Sequence, residues 1–149
     1  MESLIFDTTF LIDFQRERRI AETGKAHRFL ESHRDKAAFL SIVAYGEYAE
    51  GFENLGDPAF VSLVESFEIL PVTRAVADQY ARITRNLRAA GLMIGANDLW
   101  IAATALNSGS PLVTGNTDHF GRVEGIQLLC YWRASIIPRT ADMAASGWD

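Results

Sequence analysis

The stretch from Gly95 to Phe120, GANDLWIAATALNSGSPLVTGNTDHF, constrains the fold more than any other part of the chain. Its first half, from about Asn97 to Leu106, is apolar nearly all the way round, the pattern of a helix packed on several sides. Asp98 nevertheless stands in the first turn of that helix, and a carboxylate in such surroundings needs a reason. Pro111 to Thr114 then reads as a short buried strand running straight into the turn Gly115-Asn116-Thr117-Asp118. Two acids, Asp98 and Asp118, therefore fall at two element ends, where sites tend to be built.

The remainder of the chain alternates strands with helices in the same way. Ser3 to Phe6 is a short apolar run that stops at Asp7, and Phe10, Leu11 and Phe14 follow at helical spacing. A second helix spans Thr23 to His33, with Ala26, Phe29 and Leu30 on one face. Lys36 to Leu40 is the next strand, and Ser41 is placed to cap the helix behind it. That helix carries Tyr45, Tyr48, Ala49 and Phe52 on one side and Glu47 and Gly51 on another. Pro58 opens a short helix to Phe67 after the turn Asn54-Leu55-Gly56-Asp57, making an αα-hairpin with its predecessor. Glu68 to Val72 is a third strand ending near Pro71. Thr73 to Ala90 is the longest helix, capped by Thr73 and closed by Gly91. Val76, Tyr80, Ile83 and Leu87 share its apolar face, and Arg74, Arg82, Arg85 and Arg88 a nearly opposite one. Ile126 to Tyr131 is the last strand. Residues 133–149 show no clear periodicity and read as a tail, so the domain is expected over residues 1–132.

Alternation of this kind indicates an α/β domain with a largely parallel sheet, because parallel neighbours need a crossover of a dozen or more residues. At 149 residues and 48% hydrophobic the chain suits one domain with a real core. Its net charge of −5 and pI near 5.2 argue against holding nucleic acid by bulk electrostatics, although a local basic stripe is not excluded. The one cysteine, Cys130, allows no intrachain disulfide, which fits a reducing compartment. With no membrane-length apolar run and no signal-peptide pattern, the expectation is a soluble cytoplasmic protein.

Sheets of this class form sites outside the carboxyl ends of their strands. Asp7 and Asp118 both follow strands, and Glu47 and Asp98 lie on helices that could face the same end. Clustered carboxylates repel one another and are costly to keep ionised unless a cation neutralises them. All-oxygen ligands suit Mg2+ or Mn2+, typically with one or two carboxylates, water and a substrate phosphate. Such a site can activate water and stabilise the charge on a phosphodiester under in-line attack.

Asp7-Thr8-Thr9-Phe10-Leu11, Ser41 with Glu47 and Gly51, Asn97-Asp98-Leu99-Trp100-Ile101-Ala102 and Thr114-Gly115-Asn116-Thr117-Asp118-His119-Phe120 together resemble the PIN-domain family. Order and spacing agree over roughly residues 3 to 131, and the nearest likeness is to the toxin subunits of VapBC toxin-antitoxin pairs. The resemblance implies a three-layer sandwich with a central, mostly parallel sheet flanked by helices. It implies a metal-dependent endoribonuclease with Asp7, Glu47 and Asp98 as core acids and Asp7, Asp98 and Asp118 as metal ligands. It further implies a homodimer, silenced by an antitoxin whose basic or aromatic segment enters the acidic groove. The fourth position departs from the family pattern: Asp118 is the nearest carboxylate, with Asn116 and His119 as alternatives. Thr9 stands where an asparagine is common, and its hydroxyl or that of Thr8 could position Asp7 or a water. Thr8, Asn116, Arg82 and Arg85 are the candidates for contact with RNA.

Each of these residues also has a plainer reading. Asp7 could simply cap a helix, Asp98 complement a helix dipole, Asp118 belong to an ordinary turn and the arginines form a solvated face. Asp13 reads as a surface charge, and Trp100 and Tyr80 as core. Tyr45, Tyr48, Phe52, Phe60 and Leu63 exceed what a small core is expected to bury and suggest an exposed patch for a dimer or antitoxin. Two rival functions are a catalytically silent RNA- or protein-binding module, suggested by the altered fourth position, and a phosphoacceptor domain using Asp7 as nucleophile. Thr9 and the scarcity of lysines, Lys25 and Lys36 alone, count against the latter.

Overall fold

The computed structural model describes residues 2–132 and the backbone of a strand at 135–137. Along the chain the elements are β1 (Ser3–Phe6), α1 (Thr8–Arg19), α2 (Lys25–Ser32), β2 (Ala37–Ser41), α3 (Ile42–Glu50), α4 (Pro58–Val64) and β3 (Glu68–Leu70). They continue with α5 (Arg74–Ala90), α6 (Ala96–Ser108), β4 (Leu112–Val113), α7 (Thr117–Phe120), β5 (Leu128–Cys130) and β6 (Ser135–Ile137). The strands form one sheet in the order β3-β2-β1-β4-β5-β6, parallel throughout except for the antiparallel β5/β6 pair.

Side chains that alternate along the strands feed two separate cores. Ile5, Leu112 and Leu128 enter one, against Val76, Ile83 and Leu87 of α5 and Leu99 and Ala102 of α6. Leu4, Phe6, Val113 and Leu129 enter the other, against Phe10, Leu11, Phe29, Tyr48, Phe60 and Leu63 from α1, α2, α3 and α4. Strands buried on both faces are what parallel sheets require, and the result is a three-layer α/β sandwich.

Local signals terminate the helices as the sequence leads one to expect. Ser41 caps α3 by accepting a bond from the Ala44 amide at 2.9 Å, and Thr73 caps α5 through the Val76 amide at 3.2 Å. Gly91 and Gly109 end α5 and α6 in the left-handed region, at φ 70° and 71°. The α3/α4 hairpin closes through ring contacts, with Phe60 5.6 Å from Tyr45, 5.8 Å from Tyr48 and 5.1 Å from Phe52.

Three expectations are corrected. The aromatic patch on the hairpin is not exposed: Tyr48, Phe60 and Leu63 are buried, and Tyr45 and Phe52 pack against the same core. Trp100 and Tyr80 are half-buried, stacked on each other with centroids 3.8 Å apart at the edge of the other core. The stretch read as a tail contributes β6, which pairs with β5 and puts that strand inside the sheet. The rest of the stretch lies outside the described residues.

β1 runs between β2 and β4, so the chain leaves β1 in one direction and returns on its other side after six helices and the two strands β2 and β3. This is the switch point at which open parallel sheets form crevices at their carboxyl ends. Replacing Gly109, which turns α6 into β4, tests how firmly that return is set. A Cβ there would meet nothing within 4 Å, so Gly109→Ala carries a backbone penalty alone, expected at about 1 to 2 kcal/mol in urea denaturation. No measurable loss would show that the turn relaxes out of the left-handed region.

Candidate active site

Asp7 follows β1 at the switch point and is 2% exposed. Its amide extends the β1/β4 ladder by donating to the Val113 carbonyl at 3.1 Å, and its side chain caps α1. Oδ1 accepts from the Thr9 hydroxyl at 2.7 Å and the Phe10 amide at 3.2 Å, and Oδ2 accepts from the Thr114 hydroxyl at 2.5 Å. An ionised carboxylate has about four lone-pair sites, so these three donors leave one on Oδ2. Thr114 itself is braced by the Asn116 amide at 2.8 Å, and Thr9 by the Gly115 amide at 3.2 Å. Three segments thus hold one carboxylate: the start of α1, the end of β4 and the turn after it.

Burial pushes Asp7 up from 3.8 to about 6, against the three bonds, and the charge of Asp98 adds to the rise. Asp98, in the first turn of α6, is also raised, by burial first and then by the charge of Glu47, while His119 opposes the shift. His119 Nδ1 stands 3.7 Å from Asp98 Oδ2, an ion-pair distance longer than a hydrogen bond. Glu47 on α3 accepts from the Thr8 hydroxyl at 2.6 Å and from Asn97 Nδ2 at 3.1 Å, which ties α3 to α1 and α6. Glu50, one turn along α3, is exposed. An open depression of about 370 Å3 is lined by Glu47, Gly95, Ala96, Asn97 and Asp98.

The structure therefore brings Asp7, Glu47 and Asp98 to one end of the sheet and does not bring Asp118 there. The side chain of Asp118 is 82% exposed and pairs with Arg122 at 3.3 Å, one turn further on. The turn residues that face the site are Thr114, Asn116 and His119, with Asn116 Nδ2 3.2 Å from His119 Nδ1. Thr8 spends its hydroxyl on Glu47. Arg82 bonds to Gln79 on its own helix and overlooks a separate groove that it shares with Arg122. Arg85 is exposed on the same helix.

Two residues escaped the sequence reading. Asp13 is no free surface charge: it accepts from the Tyr131 hydroxyl and pairs with Arg16 at 3.1 Å. Tyr131, buried at the end of β5, packs edge-on to Phe10 with centroids 5.1 Å apart. Its distance from Asp13 in sequence left no local signal to find.

A PIN domain family model matches residues 4–126. The chain belongs to the PIN domain family. Among curated members, ribonuclease VapC1 of Methanocaldococcus jannaschii is 30% identical over 129 residues, which cover 86% of this PIN domain chain and 86% of the relative. Ribonuclease VapC1 of Rickettsia felis is 32% identical over 134 residues, covering 85% and 94%. Among solved structures, DNA-bound VapBC from Salmonella typhimurium aligns with a TM-score of 0.74 at 21% identity, covering 88% of this chain and 99% of that one. That likeness is one of fold.

The donor set of this PIN domain suits a hard divalent cation: all-oxygen, acidic, with two carboxylates whose ionised forms are disfavoured as they stand. Among the described residues no three acidic, histidine or cysteine side chains close into a ready-made ligand group. One or two carboxylates with water and phosphate would complete a Mg2+ shell without such a group.

The raised Asp7 has a consequence for stability. The folded state holds the proton up to about pH 6 and the unfolded chain only to 3.8, so between those values the folded state carries more protons. Stability from this group therefore falls as pH rises through that window, by on the order of 3 kcal/mol once above it. Without divalent cation, Asp7→Asn is expected to melt higher than wild type at pH 7.5, with the gain shrinking at pH 4.5. A variant destabilised equally at both would show that the carboxylate charge is not the cost.

Proposed function

We propose that this PIN domain is a metal-dependent endoribonuclease and the toxin half of a toxin-antitoxin pair. The observation that carries the reading is the buried Asp7, held by Thr9, Phe10 and Thr114 beside Asp98. A carboxylate kept in that position against its own desolvation suits a site that receives a cation. In this reading Asp7 and Asp98 hold Mg2+ or Mn2+, and Glu47 completes the acidic centre. The ion, when bound, supplies charge neutralisation at the phosphate and lowers the pKa of water.

The chain's own groups then have distinct tasks. Asp7 offers its free Oδ2 lone pair in a direction set by Thr114. Thr8 and Asn97 keep Glu47 turned towards Asp98 rather than towards solvent. Asn116 and His119 take the fourth position in place of Asp118, and as neutral or cationic donors they suit a substrate phosphate better than a cation. No side chain needs to act as a covalent nucleophile. Arg82 and Arg85 offer exposed guanidinium groups for phosphates further along the strand, a contact that a protein of net charge −5 needs away from its acids.

The solved neighbours named VapBC support a protein partner; in this reading it covers the acidic depression, and a homodimer is the expected assembly. No helix among the described residues is long and apolar enough to cross a membrane; action in the cytoplasm is part of the same proposal. A second reading, a silent RNA- or protein-binding module, is favoured by one feature: no acid faces the site from the turn after β4.

Purified protein incubated with structured RNAs separates the two. Cleavage is expected with Mn2+ or Mg2+, abolished by chelator, and reduced at least about 100-fold in Asp98→Asn, beyond the loss typical of a supporting residue. Asp118→Ala is expected to stay within about threefold of wild type, as suits an exposed ion pair. Cleavage that persists under chelation and in Asp98→Asn would remove the metal centre from the account. Failure to cleave any RNA would favour the silent module.

A further inference from the structure

Trp132, two residues beyond β5, is 52% exposed and is the one aromatic among the exposed large apolar side chains of the described residues. Its indole is nevertheless firmly seated. A Cβ built on Gly115 would lie 3.1 Å from its Cζ2 and 3.5 Å from its Cε2, so the ring rests directly on the Gly115 backbone. Tyr131 packs against it at 70°, with centroids 5.9 Å apart. Tyr131 is in turn anchored by Phe10 and by Asp13.

This platform adjoins the acidic site. Gly115, on which the indole sits, donates its amide to Thr9, and Thr9 donates to Asp7. The residues on either side of Gly115 are Thr114, bonded to Asp7, and Asn116, beside His119. An exposed aromatic ring thus stands at the rim of a site built to act on a phosphodiester, two hydrogen bonds from its buried carboxylate.

An acidic centre repels the phosphates of its own substrate, so beside it a contact that does not depend on charge adds affinity that the distant arginines cannot supply there. Base stacking on an aromatic face supplies about 1 to 3 kcal/mol per base and tolerates any base, because every base has a π-face. A ring already braced on one side loses little freedom when a base covers the other. We propose that Trp132 is a nucleobase-stacking platform that holds a base of the RNA strand adjoining the scissile phosphate. A Cβ at Gly115 would stand 3.1 Å from both the indole and the Tyr131 hydroxyl, so glycine is what lets both sit this close to the turn without giving way by a few tenths of an ångström. This inference rests on the ribonuclease reading above.

The test uses the full chain and a short RNA that wild type cleaves, with a matching RNA made abasic at one nucleotide beside the cut. Trp132→Ala is expected to raise KM about tenfold on the intact RNA and leave kcat within about twofold. Trp132→Phe should recover most of the loss and Trp132→Leu should not. The abasic RNA should cost wild type as much as the alanine substitution does, and cost Trp132→Ala little more. An unchanged KM in Trp132→Ala overturns the inference, and so does recovery by leucine equal to that by phenylalanine, which would mean simple apolar packing. A fall in kcat with KM unchanged overturns it as well, since the indole would then only brace the Thr114–Asn116 turn. If RNA cleavage is unaffected while binding of a protein partner weakens, the surface belongs to that partner. Should wild type cleave no RNA at all, the ribonuclease reading itself has failed.

Discussion

A carboxylate buried at the end of the central strand is the constraint on which the rest of this structure depends. Asp7 is held under the protein surface at an unfavourable ionisation, and the fold surrounds it with three donors, two from the start of α1 and one from the end of β4. The Phe10 amide is free to serve because α1 begins there and its first amides lack partners within the helix. The Thr114 hydroxyl reaches Oδ2 because β4 lies beside β1, which in turn requires the chain to cross back over the sheet. Sheet order, helix start and turn thus converge on one side chain. Two apolar cores, fed by alternate residues of β1, keep that strand from shifting register, since a slip of one residue would exchange its faces.

The supports of Asp7 and Glu47 are hydroxyls and amides rather than cations, while Asp98 has His119 at 3.7 Å. Thr8, Thr9, Thr114 and Asn97 orient Asp7 and Glu47 without neutralising them. Nearby arginines bond to acids outside the cluster, Arg16 to Asp13 and Arg122 to Asp118. Had either been drawn inward, the carboxylates would be satisfied by the chain itself and would have less to offer an external cation. The site therefore keeps its charge unspent at a cost in stability, an exchange expected where activity needs a strained or desolvated group.

How much of this could be read from the sequence depended on whether the signal was local. Ser41, Thr73 and Gly91 announce helix ends because caps and left-handed turns are made within a few residues, and the structure places each as read. The strands were legible as short apolar runs, and the acids following them as candidates for one edge of the sheet. What a single chain position does not encode is direction. Asp118 and His119 are neighbours in the sequence, yet the helical turn of α7 sends one towards Arg122 and the other towards Asp98. The bond between Asp13 and Tyr131 and the seating of Trp132 on Gly115 join residues far apart along the chain. The hairpin aromatics looked too numerous to bury because the sequence does not reveal that the sheet serves two cores rather than one. The strand at 135–137 was missed because an antiparallel edge of three residues is too short for its alternation to be recognised.

The central claim is that Asp7 waits for a divalent cation in a partly protonated state. Calorimetric titration with Mn2+ at pH 6, repeated in buffers of different ionisation enthalpy, measures the protons released on binding. Wild type is expected to release protons at pH 6 and almost none at pH 8, and Asp7→Asn to release fewer at pH 6 and bind more weakly. Cation binding of unchanged strength in the variant, with the same proton release, would contradict the account.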